Sequence, residues 1–144
     1  MDDKLELLLS GQQYKKLQEF WYGRVLEEYQ LNIVDVRVLL FLDEHKKFDT
    51  AKDIVEMHYL TKSYVSKSID KLIAKGFLER KHLSDDRRYV HLLVREEALP
   101  VIKAVRDRKE TMVRQIFQGI TSDQKEVLMQ VATKINENIA GVLR

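Results

Sequence analysis

Residues 61–94, TKSYVSKSIDKLIAKGFLERKHLSDDRRYVHLLV, constrain this chain more than any other stretch. Val65, Ile69, Leu72 and Ile73 recur at helical spacing and form one inward stripe. Lys62, Ser63, Ser66, Lys67 and Asp70 then face outward, and Thr61 stands where a cap belongs. Gly76 supplies the left-handed residue that ends a helix. From Phe77 the pattern changes to a period of two, and Tyr89–Val94 has the β-branched and aromatic content of a second strand. Ser84, Asp85, Asp86 and Arg87 form the polar turn between them. A basic-faced helix followed by a hairpin with two adjacent arginines suits duplex DNA, one element to each groove.

The charge distribution points the same way. Between Thr61 and His91 eight bases face four acids, a net of +4, which leaves −2 on the remainder of a chain whose total is +2. Phosphate neutralisation supplies much of the affinity for nucleic acid, so a basic island on a mildly acidic body is its expected footprint. With no cysteine, the chain has no disulfide, thiolate nucleophile, zinc–thiolate site or peroxide-sensing thiol. No apolar run reaches membrane-spanning length, and MDDKLELLLSG places acid before its leucines, the wrong flank for a secretory signal. The expectation is a soluble, cytoplasmic protein without a membrane partner.

Five glycines and one proline in 144 residues favour helices elsewhere. Apolar residues from Leu5 to Leu26 predict a first helix over about 3–29. Asn32 with Asp35 opens a second, to about Glu44, and Thr50 with Asp53 opens a short third. Val101 to Phe117 marks a long helix with Pro100 in its opening turns. Thr121 with Gln124 opens a last one, along which Val127, Leu128, Val131, Ile135, Ile139, Val142 and Leu143 make a near-heptad seam. The predicted fold is mainly α with a small β-wing, a winged helix-turn-helix.

In this order the elements resemble the MarR family of bacterial winged-helix regulators, over essentially the whole chain. The resemblance rests most on Val65 through Leu72, Gly76 and Leu78 to Arg80, then Asp86-Arg87-Arg88 and the Val90–Leu93 strand. The family's wing carries an aspartate two residues before an arginine, matched here by Asp86 and Arg88; a carboxylate so placed can aim a guanidinium into a narrow minor groove. The resemblance implies one MarR-type domain over 1–144. Residues 1–31 and 95–144 would build a homodimer around a DNA-binding lobe at 32–94. Double-stranded DNA would be read at a pseudo-palindromic operator. Candidate DNA-binding residues are Thr61, Lys62, Ser63, Tyr64, Ser66, Lys67, Lys71, Asp86, Arg87 and Arg88. The family also implies a small aromatic or phenolic effector, with Tyr14, Trp21, Tyr22, Phe41 and Tyr59 as candidate lining and Arg24 or Arg37 as carboxylate partner. One departure concerns the helix after the wing: Leu93-Val94 replaces the family's Leu-Thr, and valine cannot cap.

Other classes compete less well. His45, His58, His82 and His91 fall in no catalytic motif, so no enzyme and no cofactor are expected. A zinc-responsive regulator would use His45 and His58 with Glu44 or Glu56, though the spacing does not demand it. A winged-helix protein-interaction module would need an acidic partner to suit the basic face. The reading that accounts for most residues is a ligand-responsive repressor.

Overall fold

Ile33–Glu44 is apolar on nearly every side, and such a helix must be surrounded. In the computed structural model Val36, Val38, Leu39, Leu40, Phe41 and Leu42 are all buried, which makes this helix, α2, the axis of its part of the core. The structure describes residues 12–58, 60–83 and 86–144, without the side chains of Gln12, His58, Leu83, Asp86 and Arg87. Before α2 comes α1, Gln12–Tyr29; the predicted stretch from 3 to 11 lies outside the described residues. After it come α3 (Ala51–His58), α4 (Lys62–Ala74), β1 (Leu78–Leu83), β2 (Asp86–Val94), a 3-10 turn at Glu96–Ala98, α5 (Leu99–Ile116) and α6 (Ser122–Val142).

Helix starts follow the local chemistry. The Asn32 side chain accepts from the Asp35 backbone N–H at 2.9 Å, and the Asp35 carboxylate accepts from the Asn32 N–H at 2.9 Å. Thr50 and Asp53 exchange the same pair of bonds at the head of α3. So do Thr121 and Gln124 at the head of α6. Each box satisfies N–H groups that a helix cannot satisfy for itself.

Two helices end in the same six-residue closure. After α4, Phe77 N–H bonds Leu72 C=O at 2.9 Å and Gly76 N–H bonds Ile73 C=O at 3.0 Å, with Gly76 at φ +80°. After α1, Leu31 N–H bonds Leu26 C=O at 2.8 Å and Gln30 N–H bonds Glu27 C=O at 3.3 Å. There the left-handed position is taken by Gln30, at φ +53°.

Strands β1 and β2 pair antiparallel from Leu78↔Val94 to Leu83↔Asp86, with an irregularity between Lys81 and Leu83. The hairpin is longer than predicted: Asp86 and Arg87 belong to β2, because pairing persists to the last residues before the connection. Residues 84 and 85 lie outside the described ones. Leu92 N–H also bonds Asp49 C=O at 2.8 Å, which ties the hairpin to the segment between α2 and α3.

The start of α5 answers the Val94 departure. Arg95 occupies the capping position with no side-chain bond, and a 3-10 turn leads into α5, with Pro100 in its first turn. The Glu97 carboxyl is held below the ordinary carboxylate range, chiefly by a hydrogen bond with its own backbone N–H and further by the Arg95 guanidinium. Glu96 and Glu97 in this first turn carry the sign of charge that a helix N-terminus favours.

The described residues divide into two compact units: 22–108, and 12–21 with Lys109–Arg144. The first holds the α2 axis, with α4 packed on α2, α3 and β1. Its core adds Tyr22, Val25, Ile54, Val65, Leu72, Leu78, Leu92 and Val101. In the second, Met112, Phe117 and Ala132 are buried. Among the described residues no helix is long and apolar enough to cross a membrane.

Candidate nucleic-acid interface

Helix α4 buries Val65, Ser68, Ile69 and Leu72 and exposes Lys62, Ser63, Tyr64, Ser66, Lys67 and Asp70. Thr61 holds the capping position with extended backbone, but its hydroxyl makes no capping bond. The first-turn N–H donors of α4, beside Lys62 and Ser63, thus lack the side-chain cap that the boxed helices have. Asp70 bonds Arg80 of β1 at 2.6 Å across the surface. That pair links α4 to the hairpin, so the helix and the strand leading to the wing are held to each other.

On the hairpin, Arg88 and Tyr89 are exposed on β2. The side chains of Asp86 and Arg87 lie outside the described ones, and with them the aspartate–arginine geometry expected of the wing. The next residues are anchored. His91 Nδ1 lies 2.5 Å from Asp49 Oδ1, while Leu92 bonds the Asp49 carbonyl.

Lys71 is the site residue whose placement differs most from expectation. Its Nζ donates to Asp35 Oδ2 at 2.7 Å. Ser68 Oγ donates to Asp35 Oδ1 at 2.6 Å. Asp35, wholly buried, thus receives the Asn32 N–H, a hydroxyl and an ammonium. A buried carboxylate is tolerable only when so satisfied. Removing one member of a fully buried pair costs roughly 3–5 kcal/mol, and less here because Lys71 is 37% exposed. The Asn32–Asp35 spacing reveals the cap; nothing in it reveals the bonds to α4. Ser68, a polar residue among inward-facing apolar ones, is the one hint that sequence offers.

The candidate effector residues fall in both units. Tyr14 and Trp21 belong to the unit of 12–21 with Lys109–Arg144, where Trp21 stacks edge-on against Phe20 with centroids 5.6 Å apart. Tyr22, Arg24, Arg37 and Phe41 belong to the other. Tyr22 and Phe41 are core residues, and the Phe41 ring packs on His45 at 4.6 Å. Tyr59 lies outside the described residues, as does the His58 side chain that a zinc site with His45 would use. Among the described residues no group of three or more His, Asp or Glu side chains could hold a metal.

A polar-faced helix braced to a β-hairpin and seated on a capped apolar axis defines a winged-helix protein. A MarR family model matches residues 29–88, from the end of α1 into β2. A transcriptional regulator of MarR type from Silicibacter pomeroyi superposes with a TM-score of 0.74, at 18% identity, covering 88% of this chain and 82% of that one. Bordetella bronchiseptica BpsR, described by the regulation of its DNA binding by 6-hydroxynicotinic acid, superposes at 0.68. It is 17% identical and covers 85% and 86% of the two chains. The HTH-type transcriptional regulator YwhA of Bacillus subtilis is 23% identical over 86 residues, 60% of this chain and 62% of that relative. The MarR family model thus covers 60 of the 144 residues, and the likeness to the solved structures extends the same winged-helix fold over most of the chain.

Proposed function

We propose that the protein regulates transcription as a homodimer, a repressor that binds a pseudo-palindromic operator and is released by a small aromatic or phenolic acid. Helix α4 enters the major groove through Thr61, Lys62, Ser63, Tyr64, Ser66 and Lys67. Arg87 and Arg88 of the hairpin reach the adjacent minor groove, with Asp86 steering Arg88. The observation that carries this reading is the exposed face of α4: hydroxyls and lysines around an uncapped helix start, braced through Asp70 and Arg80 to the wing. An apolar protein partner would find little on that face to bury.

Dimerisation is supported by α6. Val127, Val131, Ile135, Ile139, Val142 and Leu143 are 39–83% exposed along one helix. A repeated apolar face of this kind is costly in water unless another surface covers it. The effector is supported by BpsR, whose regulation involves a hydroxylated aromatic acid.

The test is fluorescence anisotropy with the promoter region of the protein's own gene, over a salt series, beside Arg88→Ala. Nanomolar, sequence-selective binding that weakens steeply with salt is expected, with a loss of about tenfold in the variant. Binding indifferent to sequence and to Arg88 would refute the assignment of helix and wing. Titration of the complex with phenolic acids then tests release.

A further inference from the structure

We propose that Asp35 is a positioning residue for DNA binding: its buried carboxylate, gripped by Ser68 and Lys71, sets the rotation of α4 about its own axis. Lys71 is held in that clamp instead of by a phosphate. The inference rests on α4 being the groove-reading helix.

The geometry is specific. Ser68 and Lys71 are three residues apart, so they share one edge of α4. They meet different oxygens of a single carboxylate, Oδ1 at 2.6 Å and Oδ2 at 2.7 Å. One bond would fix only a distance; two bonds to one planar group also fix an azimuth. The carboxylate is itself immobile, because Oδ2 closes the capping box at the head of α2. The axis of the core and the reading helix therefore share one anchor.

Rotation is what matters for readout. Side-chain atoms lie about 5–6 Å from a helix axis, so a turn of ~10° moves them by ~1 Å. That displacement carries a hydrogen bond from about 2.9 Å beyond its useful range. Apolar packing of Val65, Ile69 and Leu72 seats the helix but is non-directional, and it tolerates such a turn better than two charge-assisted bonds do.

The experiment compares the full-length protein with Asp35→Asn, Lys71→Met, the double variant and Lys67→Met. Binding is measured across a salt series, well below the melting transition, on duplex fragments selected by the parent protein from a random pool. Free-protein melting is measured alongside. A phosphate-binding lysine lowers the salt slope by about one when removed. Lys67→Met is expected to do so. Asp35→Asn and Lys71→Met are each expected to lose about tenfold in affinity with the parent's slope, the size of one misaligned charged contact. The double variant is expected to be no worse than the poorer single one, because the two residues act as a unit.

A purely structural role would lower the melting temperature and leave the affinity of the folded protein unchanged; that result overturns the proposal. So does a slope reduced by about one in Lys71→Met with losses that multiply in the double variant, since Lys71 would then be a phosphate ligand. If Asp35→Asn does not fold, Ser68→Ala keeps every charge and removes one bond. It is expected to lose about threefold with the slope intact, and an unchanged affinity there refutes the clamp. If Lys67→Met changes neither slope nor affinity, the groove-reading assignment of α4 has failed, and the inference falls with it.

Discussion

Helices α4 and α6 are both amphipathic and both begin at a threonine, yet they are finished for different surroundings. Thr61 leaves the start of α4 without a side-chain cap, and the outward face is hydroxyl, amine and carboxylate. Thr121 closes the start of α6 with a reciprocal box, while the seam along that helix stays apolar and exposed. An open polar end suits a charged ligand that brings its own acceptors; a closed end with an apolar flank suits another protein surface. The contrast assigns the two proposed interfaces to two helices without invoking any family.

The largest effect that would break the contrast comes from charging the seam. Ile135→Glu with Ile139→Glu is expected to give a monomer in sedimentation, and operator affinity should fall by about a hundredfold or more. The second half-site then no longer binds as a tethered partner. Lys67→Glu in α4 should abolish tight DNA binding and leave sedimentation unchanged. A dimer that survives both glutamates would mean that the exposed seam is not its interface.

The two threonines sharpen the comparison at smaller scale. Thr121→Ala removes a working cap and is expected to cost ~1 kcal/mol in urea denaturation. Thr61→Ala removes no capping bond and should stay within ~0.5 kcal/mol, while weakening operator binding a few-fold. Equal stability losses would show that the start of α4 is closed after all, and would remove one support for its role at phosphate.

What could be seen in the sequence beforehand follows from interaction range. Asn32-x-x-Asp35, Thr50-x-x-Asp53 and Thr121-x-x-Gln124 announce their helices because the bonding groups sit three residues apart. Gly76 is legible for the same reason, and so is the outward face of α4, which periodicity alone places. The Asp35 clamp is not, because its partners lie 33 and 36 residues away, and local spacing carries no information about them. Nor could aromatic residues be sorted: Tyr22 and Phe41 look like candidates to line a pocket, but the packing around α2 takes both into the core. Polarity places the start of β2 three residues late, at Tyr89 instead of Asp86, since polarity marks a turn while strand pairing is decided by the partner strand.

Effects confined to stability concern the ends of α1 and α4, which share one closure but not one residue. Gly76 occupies the left-handed position after α4, and a Cβ built there would meet nothing within 4 Å. Gly76→Ala therefore isolates the local backbone cost of a positive φ, expected at ~1 kcal/mol with no contribution from clashes with the rest of the fold. Gln30 already bears that cost at φ +53°. Gln30→Gly should relieve it, offset in part by the greater freedom of glycine in the unfolded chain, for a net gain of ~0.5 kcal/mol. Urea denaturation of both variants checks the signs together. A loss in Gln30→Gly would show that the glutamine side chain contributes more than its backbone strain costs, and that the two closures are alike in hydrogen bonding but not in what holds them.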